Sequence, residues 1–75
     1  MTTPVPALPM EVYLSALEQH RLGTHAYLLE VGYPEKLIVS KALKASAKGY
    51  ADYGTTVRFC WINPEGVAFL RERGL

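Results

Sequence analysis

The sequence predicts an α+β domain: three helices, a two-stranded hairpin and a closing helix. Three observations carry this. Apolar residues keep helical spacing up to residue 48, and glycines at 23, 32 and 49 divide that region into three helices. The pattern then changes at Val57 to Ile62 (VRFCWI), a run of β-branched and aromatic residues typical of a strand. Asn63-Pro64 follows, with chemistry that opens a last helix.

The chain has 75 residues and one cysteine, and its formal net charge is +1. It is long enough for one small domain. A chain of this size buries only about 60% of its unfolded surface, so a partner subunit is a natural supplement. A near-neutral balance counts against a nucleic-acid binder, but the distribution matters more than the sum. Cys60 excludes an intrachain disulfide and a zinc site built on several thiolates, and it fits a reducing cytoplasm. No apolar run approaches the length that spans a bilayer. The first residues lack the basic segment and apolar core of a secretory signal, so a cytoplasmic protein is expected.

Residues 1–9 (MTTPVPALP) hold three prolines and read as an extended arm before a domain over 10–75. Val5, Ala7 and Leu8 would pack on the domain or on a neighbouring subunit; a free tail is the alternative. The first helix is expected from about Pro9 to Arg21, with Met10, Tyr13, Leu14 and Leu17 on its core stripe and Val12 and Ala16 flanking it. Gly23 ends it. Thr24 has the chemistry of an N-cap for a short second helix, Thr24 to Val31, which Gly32 stops.

The organising stretch is Pro34 to Gly49 (PEKLIVSKALKASAKG). Pro34 suits a first helical turn and Gly49 a C-terminal stop. Ile38, Val39, Ala42, Leu43 and Tyr50 fall on one side, with Ala45 at the margin. Lys41, Lys44 and Lys48 fall in a stripe nearly opposite, with no acid between them. Helix, tight glycine-containing turn and longer helix is the helix-turn-helix pattern. Beyond Gly49, Tyr50 to Tyr53 is a short strand, Gly54-Thr55-Thr56 a turn, Val57 to Ile62 its partner strand, and Pro64 to about Arg73 a helix with Val67, Leu70 and Phe69 towards the core.

The run Leu37 to Leu70 resembles the second half of a winged helix-turn-helix DNA-binding domain, as found in many small bacterial and phage-type transcription regulators. The matching residues are Lys48-Gly49-Tyr50, Ile62-Asn63-Pro64-Glu65-Gly66 and Phe69-Leu70. The match covers nearly half the chain; the first two helices fit by pattern only. The wing is very short and has no basic residue at its tip. The resemblance implies that Pro34–Lys48 enters a major groove of double-stranded DNA.

Lysines on that helix would neutralise phosphates, so Lys36, Lys41, Lys44 and Lys48 are DNA-binding candidates. Ser40 and Ser46 add hydrogen-bonding groups. Arg, Asn and Gln, the best discriminators of bases, are absent from the helix. Tyr33, in the turn before it, is a phosphate candidate, as are Arg58 on the second strand and Thr55 and Thr56 at the wing tip. Thr24 and His25 open the second helix, where free N–H groups favour an anion; capping alone also explains Thr24, and His25 reads as an exposed histidine. The bland reading of the lysines is an ordinary solvated face.

Strand alternation puts Val57, Phe59 and Trp61 on one face and Arg58, Cys60 and Ile62 on the other. The resemblance turns Ile62, and Cys60 with it, inward. Phe59 and Trp61 then face out, which marks a contact surface. A homodimer is expected, with Val5, Leu8, Tyr13, Phe59 and Trp61 as interface candidates. An enzyme is not expected. His20 and His25 lack a third metal ligand, Cys60 reads as a small buried hydrophobe, and there is no phosphate loop or nucleophile elbow. No cofactor or metal is expected. The alternative function is a protein-interaction module on the same scaffold that does not bind DNA.

Overall fold

The computed structural model describes residues 7–75. Among these, α1 (Met10–His20) leads through a 3-10 turn (Arg21–Gly23) into α2 (Thr24–Val31). Then come α3 (Glu35–Ala47), β1 (Ala51–Tyr53), β2 (Cys60–Ile62) and α4 (Pro64–Glu72). The strands pair antiparallel, Ala51 opposite Ile62, Asp52 opposite Trp61 and Tyr53 opposite Cys60. The fold is α+β, as expected. No helix among the described residues is long and apolar enough to cross a membrane.

One core joins all these elements. Tyr13, Leu14, Ala16 and Leu17 from α1 meet Leu28 of α2, Ile38, Ala42 and Ala45 of α3, Ala51, Cys60 and Leu70. Leu8 is also buried there, which anchors residues 7–9 to their own domain. Tyr13 and Leu8 are therefore core residues, and their expected interface role is withdrawn. Burial pushes the Tyr13 hydroxyl well above its ordinary pKa, helped by the neighbouring Cys60 thiol. Burial raises the Cys60 thiol too, and Asp52 adds to it while Tyr13 opposes. The thiol donates to the Val57 carbonyl at 2.9 Å, as a small buried side chain. Val12 is exposed, not flanking the core. Val5 lies outside the described residues.

The helix ends depart from expectation in instructive ways. Pro9 and Pro34 stand at the N-cap, in extended conformation, rather than inside their helices. Thr24 caps nothing. Its hydroxyl donates into the core side, to the Arg21 carbonyl at 2.7 Å with the Ala16 carbonyl at 3.1 Å, and the residue is buried. Asn63 holds the N-cap position of α4, but its side chain donates backwards to the Gly49 carbonyl at 3.3 Å. At the end of α3, Gly49 has φ +78° and donates to Ser46, while Tyr50 donates to Ala45 at 2.9 Å. That paired closure needs a left-handed residue, which glycine adopts without strain.

The hairpin is shorter in its strands and longer in its loop than the sequence implies. β2 begins at Cys60 and β1 at Ala51, so residues 54–59 form a six-residue loop rather than a three-residue turn. From Phe59 to Ile62 the facing is as expected: Cys60 is buried, Ile62 packs on the core, and Phe59 and Trp61 are exposed at 56% and 44%. In the loop before them the alternation fails, since Val57 packs on the core and Arg58 is exposed.

Candidate nucleic-acid interface

The rotation of α3 decides what it presents. Ile38, Ala42 and Ala45 face the core, and Ala45 is fully buried. Leu43, expected in the core, is 47% exposed, and Val39 is only half-buried. The reason is close approach. α3 lies against α1, α2 and β1 at once, and such a crowded line admits alanine more readily than leucine. The outer face therefore carries Lys36, Ser40, Leu43 and Ala47, with Lys44 and Lys48 on one flank; all six are exposed. Lys41 is half-buried on the same flank, not opposite the core.

The charges sort unevenly. Three arginines meet carboxylates: Arg58 meets Glu35 at 3.1 Å, Arg71 meets Glu18 at 2.7 Å and Arg73 meets Glu11 at 3.6 Å. The four lysines of the chain all lie on α3 or its C-cap, and none of them has an acidic partner among the described residues. Glu35 is the one acid on α3. Its carboxylate accepts from Arg58 and meets His25 Nε2 at 3.0 Å. His25 first and Arg58 second hold its pKa below the ordinary value. The face beyond Glu35 is thus cationic although the chain is nearly neutral.

This network corrects three expectations. Arg58 lies in the β1–β2 loop, not on a strand, and its guanidinium is bound to the start of α3. His25 is not exposed: its side chain is 10% accessible and its Nδ1 is buried without a partner. Thr24, turned inward, has no hydroxyl to offer a phosphate. Tyr33 is half-buried, packs against the core and lines the open groove between α1 and α2, beside Tyr27 and Val31. Thr55 is exposed in the loop, and Thr56 accepts the Arg58 N–H at 3.2 Å.

The surface brings Lys36, Ser40, Lys44 and Lys48 together along α3, joined at its N-terminal end by Arg58 through Glu35. Leu43 and Glu35 are the residues that sequence reasoning missed. The signal for Leu43 was weak, because periodicity alone does not say which part of an apolar arc turns inward. Glu35 pairs with residues 10 and 23 positions away, and nothing local announces that.

A separate apolar surface lies on the other strand face. Leu22, Phe59 and Trp61 are exposed, and a shallow groove of about 460 Å³ runs between Leu17, Arg21, Leu22 and Trp61. Among the described residues no group of His, Cys, Asp and Glu is placed to hold a metal ion. Comparison with protein-family models, curated proteins and solved structures finds no match to this chain.

Proposed function

We propose that this protein is a winged helix-turn-helix DNA-binding module, acting as a small cytoplasmic transcriptional regulator that lays α3 into the major groove. One observation carries the reading: among the described residues every arginine but Arg21 meets a carboxylate, while all four lysines, on α3 and its C-cap, have no acidic partner. A solvated face with no partner gains nothing from such sorting. A polyanion does, because each lysine at a phosphate releases a condensed counterion. Lys36, Lys44 and Lys48 contact phosphates, Ser40 hydrogen-bonds at the groove floor or backbone, and Arg58 with Thr55 and Thr56 approaches the flanking strand. The role is non-catalytic and uses no cofactor.

Charge reversal tests this. Lys44→Glu with Lys48→Glu abolishes duplex binding and leaves the circular dichroism unchanged, since both side chains are exposed. Undiminished binding by the double variant would remove α3 from the interface.

A second reading rests on Phe59, Trp61 and Leu22, which are too exposed for a free surface of one small domain. In it the same scaffold binds a protein through the β2 face. That reading needs no DNA; under the DNA-binding one the same face takes a second copy of the chain, since a twofold dimer presents two helices to two half-sites.

A further inference from the structure

We infer that Leu43 is a specificity residue that reads the 5-methyl groups of thymine in the major groove; this rests on the DNA-binding reading above. Leu43 lies on the outer side of α3, 47% exposed. Lys36, Ser40 and Ala47 stand seven and three residues before it and four after it, so all four form one stripe. Ser40 and Ala47 are small and leave the Leu43 side chain standing proud of its neighbours. Lys44 and Lys48 flank it, and Glu35, the one acid of the helix, is occupied by His25 and Arg58. An apolar group framed by unpaired cations fits a partner that is anionic at its edges and apolar between them.

Duplex DNA offers that arrangement. The thymine methyl is the apolar group displayed on the major-groove floor, between two phosphate rims. The helix has no Arg, Asn or Gln, so bidentate reading of guanine by arginine or of adenine by amides is closed to it. What remains for direct readout is hydrogen bonding by Ser40 and lysine, and apolar contact by Leu43. The inferred target is therefore a thymine-containing step under the middle of α3.

The test separates the methyl from everything else. Anisotropy titrations compare an alternating A·T duplex with the matching A·U duplex, which keeps every phosphate and base-edge hydrogen-bonding group and lacks only the methyls. Wild-type protein binds the A·T duplex more tightly, by about fourfold per methyl covered. Leu43→Ala binds both duplexes alike, at the wild-type A·U affinity and with the wild-type salt dependence. Equal wild-type affinity for the two duplexes, with salt-sensitive binding intact, overturns the role of Leu43 and leaves the DNA reading standing. A methyl preference that survives in Leu43→Ala overturns it equally. Failure to bind either duplex at low salt overturns both readings and points to an acidic protein surface as the partner of this face.

Discussion

Gly66 decides how α4 meets the sheet, and replacing it with alanine sets two effects against each other. In a helix, alanine is better than glycine by up to about 1 kcal/mol, which by itself predicts stabilisation. The site forbids it. A Cβ on Gly66 would run into the Tyr50 carbonyl oxygen and come within 2.8 Å of Ile62 Cγ1, where ordinary contact begins at 3.4 Å. The Tyr50 carbonyl is held in place, because it accepts the Asn63 N–H at 2.9 Å. The start of α4 must then back away from β1. Overpacking of this kind costs about 1–3 kcal/mol, and loosening the Asn63–Tyr50 bond adds about 1 kcal/mol. The net loss is about 2 kcal/mol after the propensity gain, which lowers Tm by about 8–16 °C in a domain this small. Gly23→Ala is the control: its φ is −86° and nothing lies within 4 Å of the new Cβ. That variant is neutral or up to about 1 kcal/mol more stable. Thermal melts by circular dichroism read both. A Gly66→Ala protein that melts at or above wild type would refute the close-approach argument.

Further predictions concern strain, titration and assembly. Arg21 has φ +52° and ψ −124°, a conformation costly for a residue with a Cβ. Arg21→Gly therefore raises the urea midpoint by about 1 kcal/mol equivalent at unchanged slope; a lower midpoint would mean that the arginine's contacts outweigh the strain. The Glu35 carboxyl titrates lower folded than unfolded. Its contribution is therefore present above the unfolded value and fades as pH falls through the folded one. Glu35→Gln melts below wild type at neutral pH, and the two curves converge in acid; a gap that persists at the lowest pH contradicts the ion-pair account. Trp61→Ala or Phe59→Ala shifts sedimentation towards the monomer without loss of helical signal, whereas an unchanged sedimentation profile excludes the β2 face as the self-association surface.

Much of this fold was legible because its signals are local. Glycine punctuation gave the bounds of α2 to the residue, and alternation in the β2 run set Trp61 on the face opposite Cys60 and Ile62, the resemblance choosing which face turns inward. What was not legible depends on distant neighbours. Leu43 outranks Ala45 in hydrophobicity, yet Ala45 is buried because three elements crowd that line. Thr24 is a good cap by residue type, but its hydroxyl turns inward to the Arg21 carbonyl, with the Ala16 carbonyl of α1, eight residues earlier, beside it. Helical spacing put Tyr13 on the core stripe of α1, and its burial beside Cys60 decides for that place over the interface one. The lysine candidates were visible as a run of cations. Their lack of partners was not, because it is a property of where Glu11, Glu18 and Glu35 go.

The central claim is that the unpaired lysines of α3 meet phosphates. The most direct measurement is the affinity of the wild-type protein for a mixed-sequence duplex, followed by anisotropy across a salt series. With Lys36, Lys44 and Lys48 on phosphates, the slope of log affinity against log salt is about −2.7 per protomer, and affinity falls about 40-fold between 50 and 200 mM salt. Binding that is absent at low salt, or indifferent to salt, would contradict the account.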